Sequence, residues 1–241
     1  MMAGTSRSFP NNPLNVYWTQ GNTSPESSFF AEDISDVNTG QILVLSGNPA
    51  TQDTDEFDDD VLRHEFGHFV EFSLGQYDAI AFSHALNVNT LNIDLAWSEG
   101  FANYIAIASK QWLVAQGSTS ISHVAAPNSW YTDTVGTSGN RLSFDFDTLD
   151  MSYCAVGDCY TYTTSETATA NILWQMNQNI NIGDTKIWQT LAGMHSTDSY
   201  VDNRMYSASL EIFYNAAEAH INETDLQPIL DDRLIDYSED V

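Results

Sequence analysis

The sequence predicts an α+β domain, on three observations. Short alternating apolar stretches crowd residues 14–46, a helical spacing of apolar residues sets in at about Asp58, and helical signals dominate the chain after Thr164. The expected architecture is one domain in two lobes that share a cleft: residues 1–117 carry an N-terminal mixed sheet and two helices, and residues 118–241 form a mainly helical lobe. A chain of 241 residues, 42% hydrophobic and 12% aromatic, can bury such a core. No apolar run approaches the roughly 20 residues that span a bilayer.

The strands come first. "LNVYW" (Leu14–Trp18) alternates, "SSFFAED" (Ser27–Asp33) continues the signal, and "GQILVLSG" (Gly40–Gly47) is a compact apolar run bounded by glycines. A helix is predicted from about Asp58 to Leu74, with aspartates at the positive end of its dipole and Gly75 as its stop. Leu62, Phe66, Phe69 and Ser73 share one stripe and are the expected core face, which leaves His64 and His68 on another. A second helix is expected from Asp94, as N-cap, through "LAWSEGFANYIAIASKQWLVAQ" to Gly117. Ser118 to Thr164 reads as a looser stretch. Helical spacing returns in "SETATANILWQM", "DTKIWQTLAGM" and "NRMYSASLEIFYNAAEAH", and Trp97 and Trp174 read as core.

Charge restricts the function. With 33 acidic and 7 basic residues the formal net charge is -26. Such a surface repels phosphate backbones and anionic lipids, which argues against nucleic acid and membrane partners. It suits a salty or extracellular medium, the steering of basic substrates, or calcium held by carboxylates in "QDTDEFDDD" (Gln52–Asp60), although no EF-hand spacing is present. The opening "MMAGTSRSFPNNPLN" has no secretory apolar stretch, so the expectation is a signal or pro-segment removed or never present, and a secreted or extracytoplasmic location. Cys154 and Cys159, in "CAVGDC", are spaced to close one small disulfide loop around Gly157.

The chemistry concentrates in "RHEFGHFVEF" (Arg63–Phe72). His64 and His68, four apart, share one helix face one turn apart and can grip a single ion. Glu65 points about 100° away around the helix, where a general base belongs. A random chain of this composition contains such a string about 0.7% of the time. For zinc, two imidazoles and a carboxylate supply three ligands and water takes the fourth position. The extended metzincin pattern fails, because Glu71 stands where its glycine should be and Leu74 where its last histidine should be. Downstream, "WSEGFANY" offers Glu99 on the second helix, with small Gly100 and Ala102 beside it to let two helices approach. His84, His123, His195 and His220 lack a partner at ligand spacing and read as surface or packing residues.

With these two motifs the chain resembles the gluzincins, the superfamily of thermolysin and the zinc aminopeptidases, and "SEGFANY" is similar to the glutamate helix of the aminopeptidase branch. The resemblance covers about Asp58 to Met176. It implies a gluzincin-like two-lobed domain, with zinc held by His64, His68 and Glu99 and with Glu65 as base and proton shuttle. Asn103, one turn after Glu99, matches a position where thermolysin-like enzymes carry an aspartate that orients a ligand histidine; an amide accepts the same bond without the charge. Tyr162, 63 residues after Glu99, matches the oxyanion donor, with Tyr160 as understudy. By the same analogy "ILVLSG" is an edge strand that pairs with extended substrate. The function implied is a zinc endopeptidase acting on protein or peptide. An aminopeptidase is the alternative, although its glycine-rich exopeptidase motif is missing, and a binding or adhesion module that kept the fold is the alternative from another class.

Overall fold

In the computed structural model, the residues described are 14–21, 28–32, 40–46, 55–76, 92–117, 129–134, 141–148, 165–194 and 208–235. Their architecture is mixed α and β with helices in the majority. They group into two compact units, one within residues 10–70 and 102–148, the other within 71–101 and 149–241.

The first unit opens with strands β1 (Asn15–Tyr17), β2 (Phe29–Glu32) and β3 (Gly40–Leu43). β3 is central, parallel to β1 with Val16 opposite Ile42, and antiparallel to β2 with Phe30 opposite Ile42. This corrects the expectation that "ILVLSG" is an edge. Both sides of β3 are occupied, and the pairing with the first strand runs on past Leu43, where Val44 N–H donates to Tyr17 C=O at 2.9 Å. Phe30 and Ile42 enter the core, while Val16 and Tyr17 stay exposed.

A 3-10 turn at Asp55–Phe57 leads into α1 (Asp59–Leu74), whose first turn carries Asp59 and Asp60 and which is followed by Gly75 at φ 71°. The buried face differs from the expected one. Val61, His64, Glu65, His68, Phe69, Val70, Glu71 and Leu74 are buried, whereas Leu62, Phe66 and Ser73 are only half-buried. The apolar stripe and the chemical stripe are therefore not separate, because α1 is covered on more than one side and its polar groups face inward. Helix α2 (Ile93–Ala115) begins one cap earlier than predicted: Asn92 Oδ1 accepts the Leu95 N–H at 2.7 Å, so Asn92 is the cap and Asp94 lies in the first turn.

The stretch read as loose holds an antiparallel hairpin, β4 (Trp130–Thr134) and β5 (Arg141–Asp145), with Tyr131 opposite Phe144. In the second unit, α3 (Glu166–Gln178) is capped by Ser165, whose side chain accepts from Ala168 N–H. α4 (Gly183–Gly193), α5 (Leu210–Ala217) and α6 (Glu223–Asp231) follow. Trp97 is buried between Phe101 and Phe213, at ring separations of 5.9 and 5.3 Å, and Trp174 is buried too, as expected of core residues. Arg233 is buried with its Nε and Nη2 both donating to Asn171 Oδ1. Desolvation pushes its guanidinium below the usual arginine value, against the pull of neighbouring Asp232. Among the described residues no helix is long and apolar enough to cross a membrane.

Candidate metal centre

Two glycines set the helix spacing at the centre. A methyl group on Gly67 would stand 2.6 Å from Ala102 Cα, so α1 and α2 touch backbone to backbone there. A methyl group on Gly100 would stand 2.5 Å from Thr169 Cβ and 2.6 Å from Glu166 C=O, so that glycine serves the approach of α2 to α3. Ala102 plays the part expected of it, and Gly100 faces a different neighbour. One turn along α1, buried Glu71 accepts a 2.6 Å hydrogen bond from Ser98 Oγ, which fixes α2 at the residue before Glu99.

His64, His68 and Glu99 are all buried, and one donor atom from each lies within 4.8 Å of the others. The two imidazoles meet edge to face, with Nε2 facing Nε2 at 3.1 Å. If each nitrogen sat about 2.05 Å from a common zinc ion, that separation would subtend about 98°, near the tetrahedral value. His64 Nδ1–H donates to Asn103 Oδ1 at 2.8 Å, which places the proton on Nδ1 and leaves Nε2 as the ligand atom. Asn103 is fully buried, and its Nδ2 has no hydrogen-bond partner among the described residues. Glu65 is buried beside His64 and is not one of the converging donors, as its direction around the helix requires.

The donor set is compatible with zinc without being specific to it. Two neutral imidazoles and one carboxylate are the borderline nitrogen and oxygen ligands this ion takes in open sites, and they do not suit calcium, which collects six to eight oxygens. Carboxylates do gather elsewhere: Asp55, Asp58 and Asp133 bring one oxygen each within 4.8 Å, although Asp55 Oδ2 also accepts Ser28 N–H and so serves the fold. Asp60, within the same acidic run, is bound instead to Arg63 and Lys110.

Sequence reasoning missed the wall on the other side of His64. Tyr131 of β4 lies with its ring centroid 6.3 Å from that of His64 at an interplanar angle of 63°. The only local signal was the alternation in "WYTDT" and "RLSFD", inside a stretch too rich in Ser, Thr and Gly to read as strand. Tyr160, Tyr162, Cys154, Cys159, His84, His123 and His195 lie outside the described residues, and His220 is half-buried.

What fold and site define together is a class: an α+β protein with a preformed, buried His-His-Glu group able to hold one metal ion. Compared with known proteins, the chain matches no family model, no curated protein and no solved structure. Any narrower assignment rests on the side chains themselves.

Proposed function

We propose that the chain is a zinc-dependent metalloendopeptidase of the gluzincin kind, two-lobed, acting on protein or peptide substrates outside the cytoplasm. The observation that carries this reading is the convergence of His64 and His68 with Glu99, two motifs distant in sequence whose donor atoms come within 4.8 Å. His64, His68 and Glu99 would hold the zinc, which when bound would supply a Lewis acid for the carbonyl and for a water. The Glu65 carboxylate, buried beside the ligands, would accept a proton from the water whose oxygen bonds to the peptide carbonyl carbon, and return it to the amine nitrogen as the C–N bond breaks. Asn103 keeps His64 in the tautomer that presents Nε2. Tyr162, outside the described residues, is assigned the hydrogen bond to the substrate oxyanion. The acidic surface favours cationic segments of substrate on encounter.

Purified protein assayed for zinc content and for cleavage of an unfolded protein substrate tests the reading. One zinc per chain is expected, with cleavage lost in Glu65→Gln while zinc stays bound. Cleavage retained in Glu65→Gln removes the base, and a zinc-loaded protein inert toward a broad peptide library favours a binding module. N-terminally blocked peptides should be cut as readily as free ones; resistance would turn the assignment to an aminopeptidase.

A further inference from the structure

The hydrogen bond from His64 Nδ1–H to Asn103 fixes one atom of the imidazole and thereby which nitrogen faces His68. For Nε2 to aim at the point it shares with His68, the plane of the ring must be fixed as well. Tyr131 meets His64 at a separation and tilt in the favourable edge-to-face range for aromatic rings, and at 4% exposure it is itself immobilised.

The strand that carries Tyr131 is clamped on both sides of it. Thr132 N–H donates to Asp60 Oδ2 at 3.0 Å, and Trp130 C=O accepts from Lys110 Nζ. Asp60 and Lys110 are paired with each other at 2.9 Å, both buried, and Asp60 Oδ1 also accepts from Arg63 Nη1 at 3.0 Å. Asp60 sits on α1 one turn before His64, and Lys110 sits on α2. The ion pair therefore grips main-chain groups of the residues before and after Tyr131. These groups lie on the edge of β4 turned away from β5, because in an antiparallel ladder alternate residues face the partner strand. Charged groups otherwise costly to bury serve here to set the register of a strand against the histidine helix.

We propose that Tyr131 is a positioning residue for the ligand His64, and that the Asp60–Lys110 pair, besides joining α1 to α2, acts on the metal centre through the placement of Tyr131. This rests on the reading of His64, His68 and Glu99 as ligands and adds to it an aromatic contact that no local motif announces.

The test is a double-mutant cycle on zinc affinity, read by competition with a chromophoric chelator, alongside the visible spectrum of the cobalt(II)-substituted protein and metal-free unfolding. Tyr131→Phe keeps the ring and should bind zinc like the wild type. Tyr131→Leu keeps apolar volume, so it should fold, and is expected to weaken zinc binding about three- to tenfold and to alter the cobalt bands. Asp60→Asn should weaken zinc in the same direction although it touches no ligand. Combined with Tyr131→Leu, the losses should be clearly less than additive. If Tyr131→Leu lowers only the unfolding temperature, with zinc affinity and cobalt spectrum unchanged, the residue is merely packing and the proposal is overturned. Additive losses in the double mutant would overturn the route through Tyr131. Failure of the wild type to bind zinc at all would instead remove the metal centre, and is a separate result.

Discussion

Gly67→Ala should destabilise the protein and loosen the metal centre, although glycine to alanine inside a helix ordinarily does the reverse. The new methyl group would meet Ala102 Cα at 2.6 Å, Ala102 C=O at 2.9 Å and Ala102 Cβ at 3.1 Å, where ordinary contact begins at 3.4 Å. Two of these are backbone atoms that cannot rotate away. Relief requires α1 and α2 to part by 0.8 Å at this point, from 2.6 to 3.4 Å. If His64 and Asn103 share that displacement, their 2.8 Å hydrogen bond stretches to 3.6 Å, which no longer counts as one. Overpacking costs about 1–3 kcal/mol, and rigid backbone contacts put this case near the top. Helix propensity returns about 1 kcal/mol. The net is about 2 kcal/mol lost, a fall in melting temperature of about 4–8 °C for a chain of this size. Zinc affinity should fall about 10- to 100-fold with the orienting bond. Calorimetry and a zinc competition titration read both quantities. A variant that melts higher than the wild type, as an open helical site would, refutes the close approach and the spacing inferred from it.

Asn103→Ala should weaken zinc by about 10- to 100-fold, whereas Asn103→Asp, which keeps the acceptor, adds a charge and removes the unpartnered Nδ2, should tighten it; a competition titration ranks the three proteins. Zinc at 100 times its dissociation constant should raise the melting temperature of the metal-free protein by about 5–11 °C, from about 2.7 kcal/mol of linkage, and should do so far less in Glu99→Gln, as differential scanning fluorimetry will show. Asn171→Ala strips a buried guanidinium of the acceptor for two of its N–H groups and should cost about 2–3 kcal/mol by urea unfolding, with zinc affinity unchanged. Because burial lowers the Arg233 pKa, the unfolded chain holds that proton more tightly. Its burial therefore opposes folding throughout the neutral range, and the penalty eases only as pH rises through the folded value.

The parts of this centre that could be read from the sequence are those fixed by helix geometry. His64 and His68 share a face because they are four apart, and Asn103 follows Glu99 by the same interval, so one fact about each helix orients two side chains. Small residues near Glu99 announced a close helix approach, but which helix each would meet depends on tertiary packing, and Gly100 turned to α3 while Gly67 met Ala102. Sheet order is likewise long-range. A compact apolar run such as "ILVLSG" suits any buried strand, and only the partners decide that it is central. Asn92 and Asp94 are both good caps two residues apart, and local sequence does not separate them. Tyr131 and its clamp were out of reach because Asp60 and Thr132 are 72 residues apart, and their bond joins a side chain to a backbone N–H that has no sequence signature.

Stability alone does not account for this set of residues. Asn103 is fully buried with an amide nitrogen that has no hydrogen-bond partner among the described residues, a condition that costs about 1–3 kcal/mol, and an apolar residue there would avoid it. His64, Glu65, His68, Glu71, Ser98 and Glu99 are buried along the facing stretches of α1 and α2, where leucine and alanine would pack with less desolvation. Meanwhile the helices are held by restraints that do not depend on one another: the Gly67 contact, the Glu71–Ser98 bond and the Asp60–Lys110 clamp. A fold that spends stability on buried polar groups and over-determines their geometry has the character of a site rather than of a core. The acceptor of Asn103 sets a tautomer of His64, and that tautomer matters only if the Nε2 lone pair has something to bind. A cation shared with the facing nitrogen of His68 and the carboxylate of Glu99 would satisfy it.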